Sequence, residues 1–230
     1  MIKNNILEVR KRITEACVRV HTDAHGIVLV VVSKGRSLDD RCQAIAGGIT
    51  DIGENKVQEA KDKYVALQAT GCRLQDLKWH MVGHLQTNKV KEAVKIFDLI
   101  HSVDSVRLTK EIDKEAAKIN KIQDILIQVN TSGEVSKFGL KPQEAIEALC
   151  EVTQLKNVQV EGLMTIAPLV DNQEKARFCF RVLRELRDKA NSILSTQYVL
   201  QTLSMGMTDD FEVAIEEGST MIRIGRAIFQ

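Results

Sequence analysis

Residues 27–34, Ile-Val-Leu-Val-Val-Val-Ser-Lys, contain the longest apolar run of the sequence. Six consecutive apolar, mostly β-branched residues predict a strand that is buried on both faces, as in a parallel sheet. The run ends at Ser33 and Lys34, and Gly35-Arg36 then predicts a turn. Ser37, with Asp40 three residues later, resembles a capping box and predicts the start of a helix.

The composition is that of an ordinary water-soluble globular protein. The chain has 230 residues, of which 44% are hydrophobic and 27% are charged, and its formal net charge is +1. A balanced charge argues against binding to nucleic acid or to an anionic membrane surface. The polar N-terminus does not resemble a signal peptide, and five dispersed cysteines are typical of reduced thiols. We therefore expect a cytoplasmic protein with no membrane span and no metal site.

Strand-like and helix-like segments alternate along the whole chain. The predicted strands lie at 27–33, 50–53, 77–82, 97–103, 125–129, 158–164, 198–203 and 221–224. The predicted helices lie at 3–20, 37–47, 56–70, 87–95, 106–119, 142–154, 173–192 and 208–217. This alternation predicts an α/β fold, a single (β/α)₈ TIM-type barrel over residues 1–230 with an additional N-terminal helix. An open, doubly wound sheet is the alternative, although it would normally contain fewer strands.

In such barrels the active site lies at the carboxyl ends of the strands. Lys34 follows the first predicted strand, where it is either a solvated surface residue or a reactive amine. The last two loops contain Ser204-Met205-Gly206-Met207-Thr208 and Arg223-Ile224-Gly225-Arg226. Glycines, hydroxyl groups and the N–H groups of a helix start predict a phosphate site there.

A lysine and a phosphate site at one barrel mouth suggest a Schiff base with a phosphorylated carbonyl compound. Two classes of protein satisfy this pattern, a sugar-phosphate aldolase and a protein that holds pyridoxal phosphate. The aldolase would need a further acid–base group, and the neighbouring strands offer only Glu54 and Lys137. Arg223 lies inside an apolar strand and needs a partner, which is either a carboxylate such as Glu54 or a ligand atom.

Seven ordered motifs closely resemble those of the pyridoxal phosphate homeostasis proteins. They are Val32-Ser33-Lys34, Gly53-Glu54-Asn55-x-x-Gln58-Glu59, Trp79-His80-x-x-Gly83-x-Leu85-Gln86-x-Asn88-Lys89, Ser136-Lys137-x-Gly139, Gly162-Leu163-Met164-Thr165, Ser204-Met205-Gly206-Met207-x-Asp209-Asp210 and Arg223-Ile224-Gly225. Proteins of this family look like the N-terminal barrel of bacterial alanine racemase standing alone. The resemblance runs from about residue 27 to the C-terminus.

The resemblance implies a set of cofactor-binding residues and no catalytic residue. Lys34 would form the covalent aldimine with pyridoxal 5′-phosphate, and Asn55 would lie beside its ring. Arg223 would face the pyridine nitrogen, where a cation disfavours protonation of the ring. The phosphate would be held by Ser204, Gly206 and Thr208 and by the backbone N–H groups of Gly225 and Arg226.

The sequence departs from the family pattern in two places. Gly35-Arg36-Ser37 stands where threonine and proline are frequent, and Arg226 stands where threonine or serine is frequent. The second departure removes a hydroxyl contact to phosphate but leaves the backbone N–H.

The expected function is that of a carrier rather than of a catalyst. Alanine racemase takes a catalytic tyrosine from a second domain, for which the sequence after the eighth predicted strand leaves no room. We therefore expect a monomer that acts in cofactor homeostasis and in amino-acid and keto-acid balance, with apoenzymes as possible recipients of the cofactor. A weak racemase that uses Lys34 is the main alternative, and a phosphate-binding scaffold without the cofactor is a third.

Overall fold

A computed structural model describes residues 1–69, 76–168, 173–194 and 199–230. Eight parallel strands follow each other in chain order and close into a barrel, which confirms the predicted fold class. The strands are β1 (Val28–Val32), β2 (Asp51–Glu54), β3 (Lys78–Met81), β4 (Leu99–Val103), β5 (Gln123–Gln128), β6 (Val158–Met164), β7 (Thr202–Ser204) and β8 (Met221–Ile224). The helices are α1 (Ile2–Arg19), α2 (Leu38–Ala46), α3 (Val57–Gln68), α4 (Val90–Ile96), α5 (Val106–Ala117), α6 (Pro142–Val152), α7 (Gln173–Ile193), α8 (Phe211–Glu216) and α9 (Arg226–Phe229).

Strand β1 closes the barrel between β2 and β8. Val30 points into the barrel, where it packs with a group of apolar side chains from the other strands: Val82, Leu99, Leu126, Met164 and Met221. Leu29 and Val31 point outward and pack under α1. Both faces of the strand are therefore buried, which is what a continuous apolar run predicts.

The additional N-terminal helix is present and covers the β8–β1 side of the barrel. Its apolar residues recur at three- and four-residue steps, so they form one buried stripe along α1. This stripe packs against the outer face of β8 and against α8 and α9. In the described part of the chain, no helix is long and apolar enough to cross a lipid bilayer.

Most predicted boundaries agree with the structure to within two or three residues. The helix predicted from residue 87 begins as a 3₁₀ turn, Thr87–Lys89, before α4. Strand β7 begins at Thr202 rather than near residue 198, which itself lies outside the described residues. Helix α9 follows β8 without a loop long enough to carry a sequence signal, and it was not predicted.

Candidate functional site

A cavity of about 600 Å³ opens at the carboxyl ends of the later strands. Its walls come from the segments that follow β5, β6, β7 and β8. The lining residues are Glu134, Lys137, Ile166, Ala167, Pro168, Met207, Thr208, Asp209, Arg223, Gly225 and Arg226. The cavity therefore contains both loops from which the phosphate site was predicted.

The loop after β7 supplies hydrogen-bond donors to this cavity. Gly206 has a φ of +96°, and an added Cβ would lie 2.6 Å from the Cβ of Ala214, so the tight turn requires glycine. The N–H of Met207 donates to Asp210 Oδ1 over 2.6 Å. The N–H of Thr208 has no hydrogen-bond partner among the described residues. An unpaired N–H and a neighbouring hydroxyl at a cavity wall are suited to binding an anion.

The loop after β8 contributes in the same way. Gly225 and Arg226 both line the cavity, and their backbone N–H groups also lack a partner within the described ranges. The Arg226 guanidinium donates to the Asp209 carboxylate, so that the two loops are joined across the mouth of the cavity. The side chain that departs from the family pattern thus forms an ion pair at the rim, where its backbone N–H is still available.

Arg223 lies at the floor of the cavity and is 4% exposed. It donates from Nη1 to Ser204 Oγ over 2.6 Å and from Nη2 to the carbonyl oxygen of Thr165 over 2.8 Å. Burial lowers the pKa of Arg223 to about 10, although the negative charge of Asp210 opposes the shift. Arg223 is therefore a cation at neutral pH, and it can only donate hydrogen bonds.

Ser204 lies below the floor rather than at the surface of the cavity. Its side chain is fully buried, and its Oγ lies 2.9 Å from His101 Nδ1 as well as 2.6 Å from Arg223 Nη1. Of the residues predicted to hold phosphate, the structure thus brings Thr208, Gly225 and Arg226 to the cavity wall. Ser204 and Gly206 instead support that wall from behind.

Lys34 lies in the turn that follows β1 and is exposed. Its side chain does not line the cavity of about 600 Å³. The turn is nevertheless close to the cavity wall, because β1 pairs with β8 and the Gly225 Cα approaches the carbonyl oxygen of Val32. An added Cβ on Gly225 would lie 3.2 Å from that oxygen.

Glu54 is fully buried beneath the Lys34 turn and does not pair with Arg223. Its carboxylate accepts from Lys63 Nζ over 2.6 Å and from the Ser33 hydroxyl. Lys63 also donates to the carbonyl oxygen of Ser33 over 3.2 Å, and Arg41 Nε donates to Ser33 Oγ over 3.2 Å. Of the two alternatives considered for Arg223, pairing with a carboxylate such as Glu54 is therefore wrong.

Asn55 lines a second cavity of about 340 Å³, at the carboxyl ends of β2 and β3, together with His84 and Lys89. The two strand ends approach closely there, since an added Cβ on Gly83 would lie 2.3 Å from the Asn55 carbonyl oxygen. The structure therefore does not bring Asn55 into the cavity that contains Arg223.

The main cavity also contains residues for which the sequence predicts no contact with the cofactor. Lys137, which was considered only as an acid–base group of an aldolase, has a buried Nζ that lies 3.1 Å from a carboxylate oxygen of Glu134. Ile166, Ala167 and Pro168 form an apolar wall. The length and polarity of the loop after β5 were visible in the sequence, but the way it folds over the barrel mouth was not.

The chain matches the family model described as "Alanine racemase, N-terminal domain" over residues 1–230. It is 44% identical over 223 residues to the "Pyridoxal phosphate homeostasis protein" of Aquifex aeolicus (strain VF5), covering 96% of this chain and 94% of that protein. It is 37% identical to the protein of the same name from Escherichia coli (strain K12), covering 99% of this chain and 95% of that one.

Solved structures agree with these relatives. PipY of Synechococcus elongatus PCC7942 with PLP bound has a TM-score of 0.87 and 32% sequence identity, over 100% of both chains. Alanine racemase of Clostridium difficile 630 has a TM-score of 0.74 at 14% identity, over 99% of this chain and 56% of that one, and so shows the shared fold. The chain belongs to the family of pyridoxal phosphate homeostasis proteins, whose barrel is that of the alanine racemase N-terminal domain.

Proposed function

We propose that this protein binds pyridoxal 5′-phosphate in the cavity at the barrel mouth and holds it for cofactor homeostasis. The observation that carries the proposal is the row of unpaired N–H donors at Thr208, Gly225 and Arg226, next to the buried cation Arg223. Such donors suit a phosphate ester. The relative PipY, which has a solved structure with PLP bound, supports the same ligand.

The remaining walls suit the pyridine ring of this cofactor. Ile166, Ala167 and Pro168 offer an apolar surface, and Arg223 offers only hydrogen-bond donors. When bound, the cofactor supplies an electron sink, which is strongest when its ring nitrogen is protonated. With that nitrogen facing Arg223, the buried guanidinium would disfavour its protonation, so such a site would favour holding the cofactor over carbanion chemistry.

We further propose that Lys34 holds the cofactor covalently as a Schiff base. Its turn follows β1 beside Gly225, and a lysine side chain can rotate from solvent toward the cavity. Lys63 donates to the backbone carbonyl oxygen of Ser33, and the Ser33 hydroxyl accepts from Arg41 and donates to Glu54, so the start of the turn is held from below. The phosphate donors and the amine would then act on opposite ends of one small molecule.

A weak amino-acid racemase is the second candidate function, because one observation favours it. Racemisation needs two acid–base groups, and Lys137 brings a second amine to the cavity in addition to Lys34. Its Nζ is paired with Glu134 at 3.1 Å. Exchange of the Cα hydrogen of alanine for deuterium, measured against free cofactor, separates the two functions. We expect no exchange above the free-cofactor rate.

The first experiment is a visible absorption spectrum of the protein incubated with pyridoxal phosphate, beside Lys34→Ala. We expect a Schiff-base band in the wild type that is lost in Lys34→Ala and that borohydride fixes onto the Lys34 peptide. Reduction onto the Lys137 peptide would overturn the assignment to Lys34 and leave cofactor binding intact. A protein that stays colourless and retains no cofactor would overturn the proposed function.

We also propose that the protein acts as a monomer in the cytoplasm, with apoenzymes as recipients of its cofactor and amino-acid and keto-acid balance as the process it affects. Light scattering after size exclusion tests the oligomeric state. Transfer is tested by mixing an apoenzyme that needs the cofactor with the untreated protein. The control is the same mixture with borohydride-reduced protein, in which the cofactor is permanently attached. Only the untreated protein is expected to restore activity.

A further inference from the structure

A continuous chain of buried hydrogen bonds crosses the interior of the barrel. It begins at Asp51, at the amino end of β2, where Oδ1 lies 3.0 Å from His80 Nε2. His80 Nδ1 lies 2.9 Å from His101 Nε2, and His101 Nδ1 lies 2.9 Å from Ser204 Oγ. The chain ends at Arg223, on the floor of the cavity. It therefore joins five strands and both ends of the barrel.

The chemistry of the two end residues fixes which group donates and which accepts along this chain of hydrogen bonds. Burial by itself raises the pKa of Asp51, but hydrogen bonds from His80 and Thr50 lower it below its usual range. Asp51 is therefore a carboxylate and accepts, so His80 Nε2 donates to it. Arg223 can only donate, so Ser204 Oγ accepts from it.

The two imidazole rings complete the chain in a single order. Burial, together with the positive charge of Arg223, holds the pKa of His101 well below its usual range, so this ring is neutral. When His80 is neutral and donates at Nε2 to Asp51, it accepts at Nδ1, and the donor there is His101 Nε2. His101 then accepts at Nδ1 from the Ser204 hydroxyl. Every donor in the interior meets an acceptor only if both rings carry their hydrogen on Nε2.

Other charges act on the ends of the chain. Lys78, the residue that pairs with Asp51 across β2 and β3, lowers the pKa of Asp51 further. Asp210, after β7, is the carboxylate whose charge acts on Arg223. The three residues in the middle of the chain, His80, His101 and Ser204, are each no more than 2% exposed.

We propose that Asp51, His80 and His101 are positioning residues for the cofactor site, where they set the orientation of the Ser204 hydroxyl and through it that of Arg223. The inference rests on the proposed function, since it concerns how Arg223 faces the ligand. With its hydrogen directed to His101, Ser204 presents a lone pair to Arg223 Nη1. Without the chain, the hydroxyl can rotate its hydrogen toward Arg223, and the guanidinium loses an acceptor.

The first test uses the protein without cofactor. Nitrogen-15 NMR of the histidine rings reports which ring nitrogen carries hydrogen. We expect both His80 and His101 to carry it on Nε2 at pH 8. In Asp51→Ala, we expect His101 to lose this fixed state and to show Nδ1–H. A wild-type His101 with its hydrogen on Nδ1, or an unchanged His101 in Asp51→Ala, would overturn the proposal.

Asp124→Ala is the matched control. Asp124 is a partly buried carboxylate at the same end of the barrel and also lies near Lys78, and burial raises its pKa. No hydrogen bond joins it to either histidine among the described residues. It changes the charge at that end of the barrel without touching the chain, so His101 should keep its Nε2–H. A change there equal to that in Asp51→Ala would contradict the proposal.

The second test measures cofactor binding. Asp51→Ala should weaken the binding of pyridoxal phosphate about tenfold, the effect of weakening one buried hydrogen bond to a charged group. Asp51→Asn keeps an acceptor oxygen for His80 and should retain wild-type affinity, as should Asp124→Ala. Unchanged affinity in Asp51→Ala would overturn the link between the chain and the cofactor.

Ser204→Ala is a second variant for the case in which Asp51→Ala fails to fold. It removes the acceptor of Arg223 but leaves the bond between the two histidines, so affinity should fall while His101 keeps Nε2–H. Unchanged affinity in this variant would likewise overturn the proposal. If neither the wild type nor any variant binds the cofactor, the proposed function fails. The NMR experiment still decides whether the hydrogen bonds run from Ser204 through His101 and His80 to Asp51.

Discussion

Three buried charged groups lie under the turn that carries Lys34. Glu54 is fully buried and pairs with Lys63, whose side chain is 10% exposed, at 2.6 Å. Arg41 lies beside them and donates to Ser33 Oγ. Burial lowers the pKa of Arg41, and the charge of Glu54 opposes that shift. The carboxylate thus compensates two cations, and the loss of any partner leaves a charge in a place where water cannot solvate it.

Lys63→Ala should therefore destabilise the protein strongly. Removing one partner of a buried ion pair costs about 3–5 kcal/mol in the free energy of unfolding, since the other partner stays buried and unpaired. Urea denaturation of the protein without cofactor measures this change.

Lys61→Ala is the control at the same helix. Lys61 pairs with Glu92 at 3.1 Å, but its side chain is 53% exposed. The loss of such a surface pair should cost less than about 1 kcal/mol. Equal losses in the two variants would show that the Glu54 pair is solvated and does not hold the turn.

At the scale of elements, the helices on the β8 side are joined by arginine–glutamate pairs. Glu216 of α8 accepts from Arg19 of α1 and from Arg177 of α7, both over 2.7 Å. Glu217, which follows α8, pairs with Arg181 at 3.2 Å. Burial by itself raises the pKa of both carboxyl groups, but the hydrogen bonds from the arginines lower it below the usual range.

These shifts predict a loss of stability on acidification. The pKa of each group is lower in the folded than in the unfolded state, where that of glutamate is about 4.3. Their contribution is therefore fully present above about pH 4.3 and is lost as the pH falls through the folded-state pKa. In Glu216→Gln/Glu217→Gln, the free energy of unfolding should fall less steeply with acidification than in the wild type, as urea titrations at pH 3.5–7 would measure.

Glu144→Gln provides the comparison for this effect. Glu144 forms an exposed pair with Lys141 at 3.6 Å, and its removal should leave the slope below about pH 4.3 close to that of the wild type. A double variant with the full wild-type slope would mean that the pairs around α8 do not contribute to the acid sensitivity.

At the scale of the whole molecule, the sequence predicts the barrel well because its signals are local. A continuous apolar run such as 27–32 and a capping residue such as Ser37 are determined by near neighbours, and both predictions are confirmed. The carboxyl ends of parallel strands must share one edge, so Thr208 and Gly225 could be expected at one mouth.

The interior of the site could not be predicted in the same way. His101 and Ser204 are 103 residues apart, and their contact depends on strand register and on side chains that meet across the barrel. In the sequence, His80 and His101 lie in separate predicted strands, and no local pattern indicates that their rings meet. Lys137 reaches the cavity because of a loop conformation that no local rule determines.

The proposed ligand would contact the segments after β6, β7 and β8 and the turn after β1, so it should stabilise the barrel as a whole. A ligand that binds only the folded state raises the free energy of unfolding by about 2.7 kcal/mol at 100 times its dissociation constant. For a chain of this size, that corresponds to roughly 5–10 °C in the melting temperature. Pyridoxal lacks the phosphate that Thr208, Gly225 and Arg226 would bind, so at the same concentration it should raise the melting temperature much less. Calorimetry of the protein with each compound measures the difference, and an equal shift for both would mean that the unpaired N–H groups at the cavity wall are not the phosphate site.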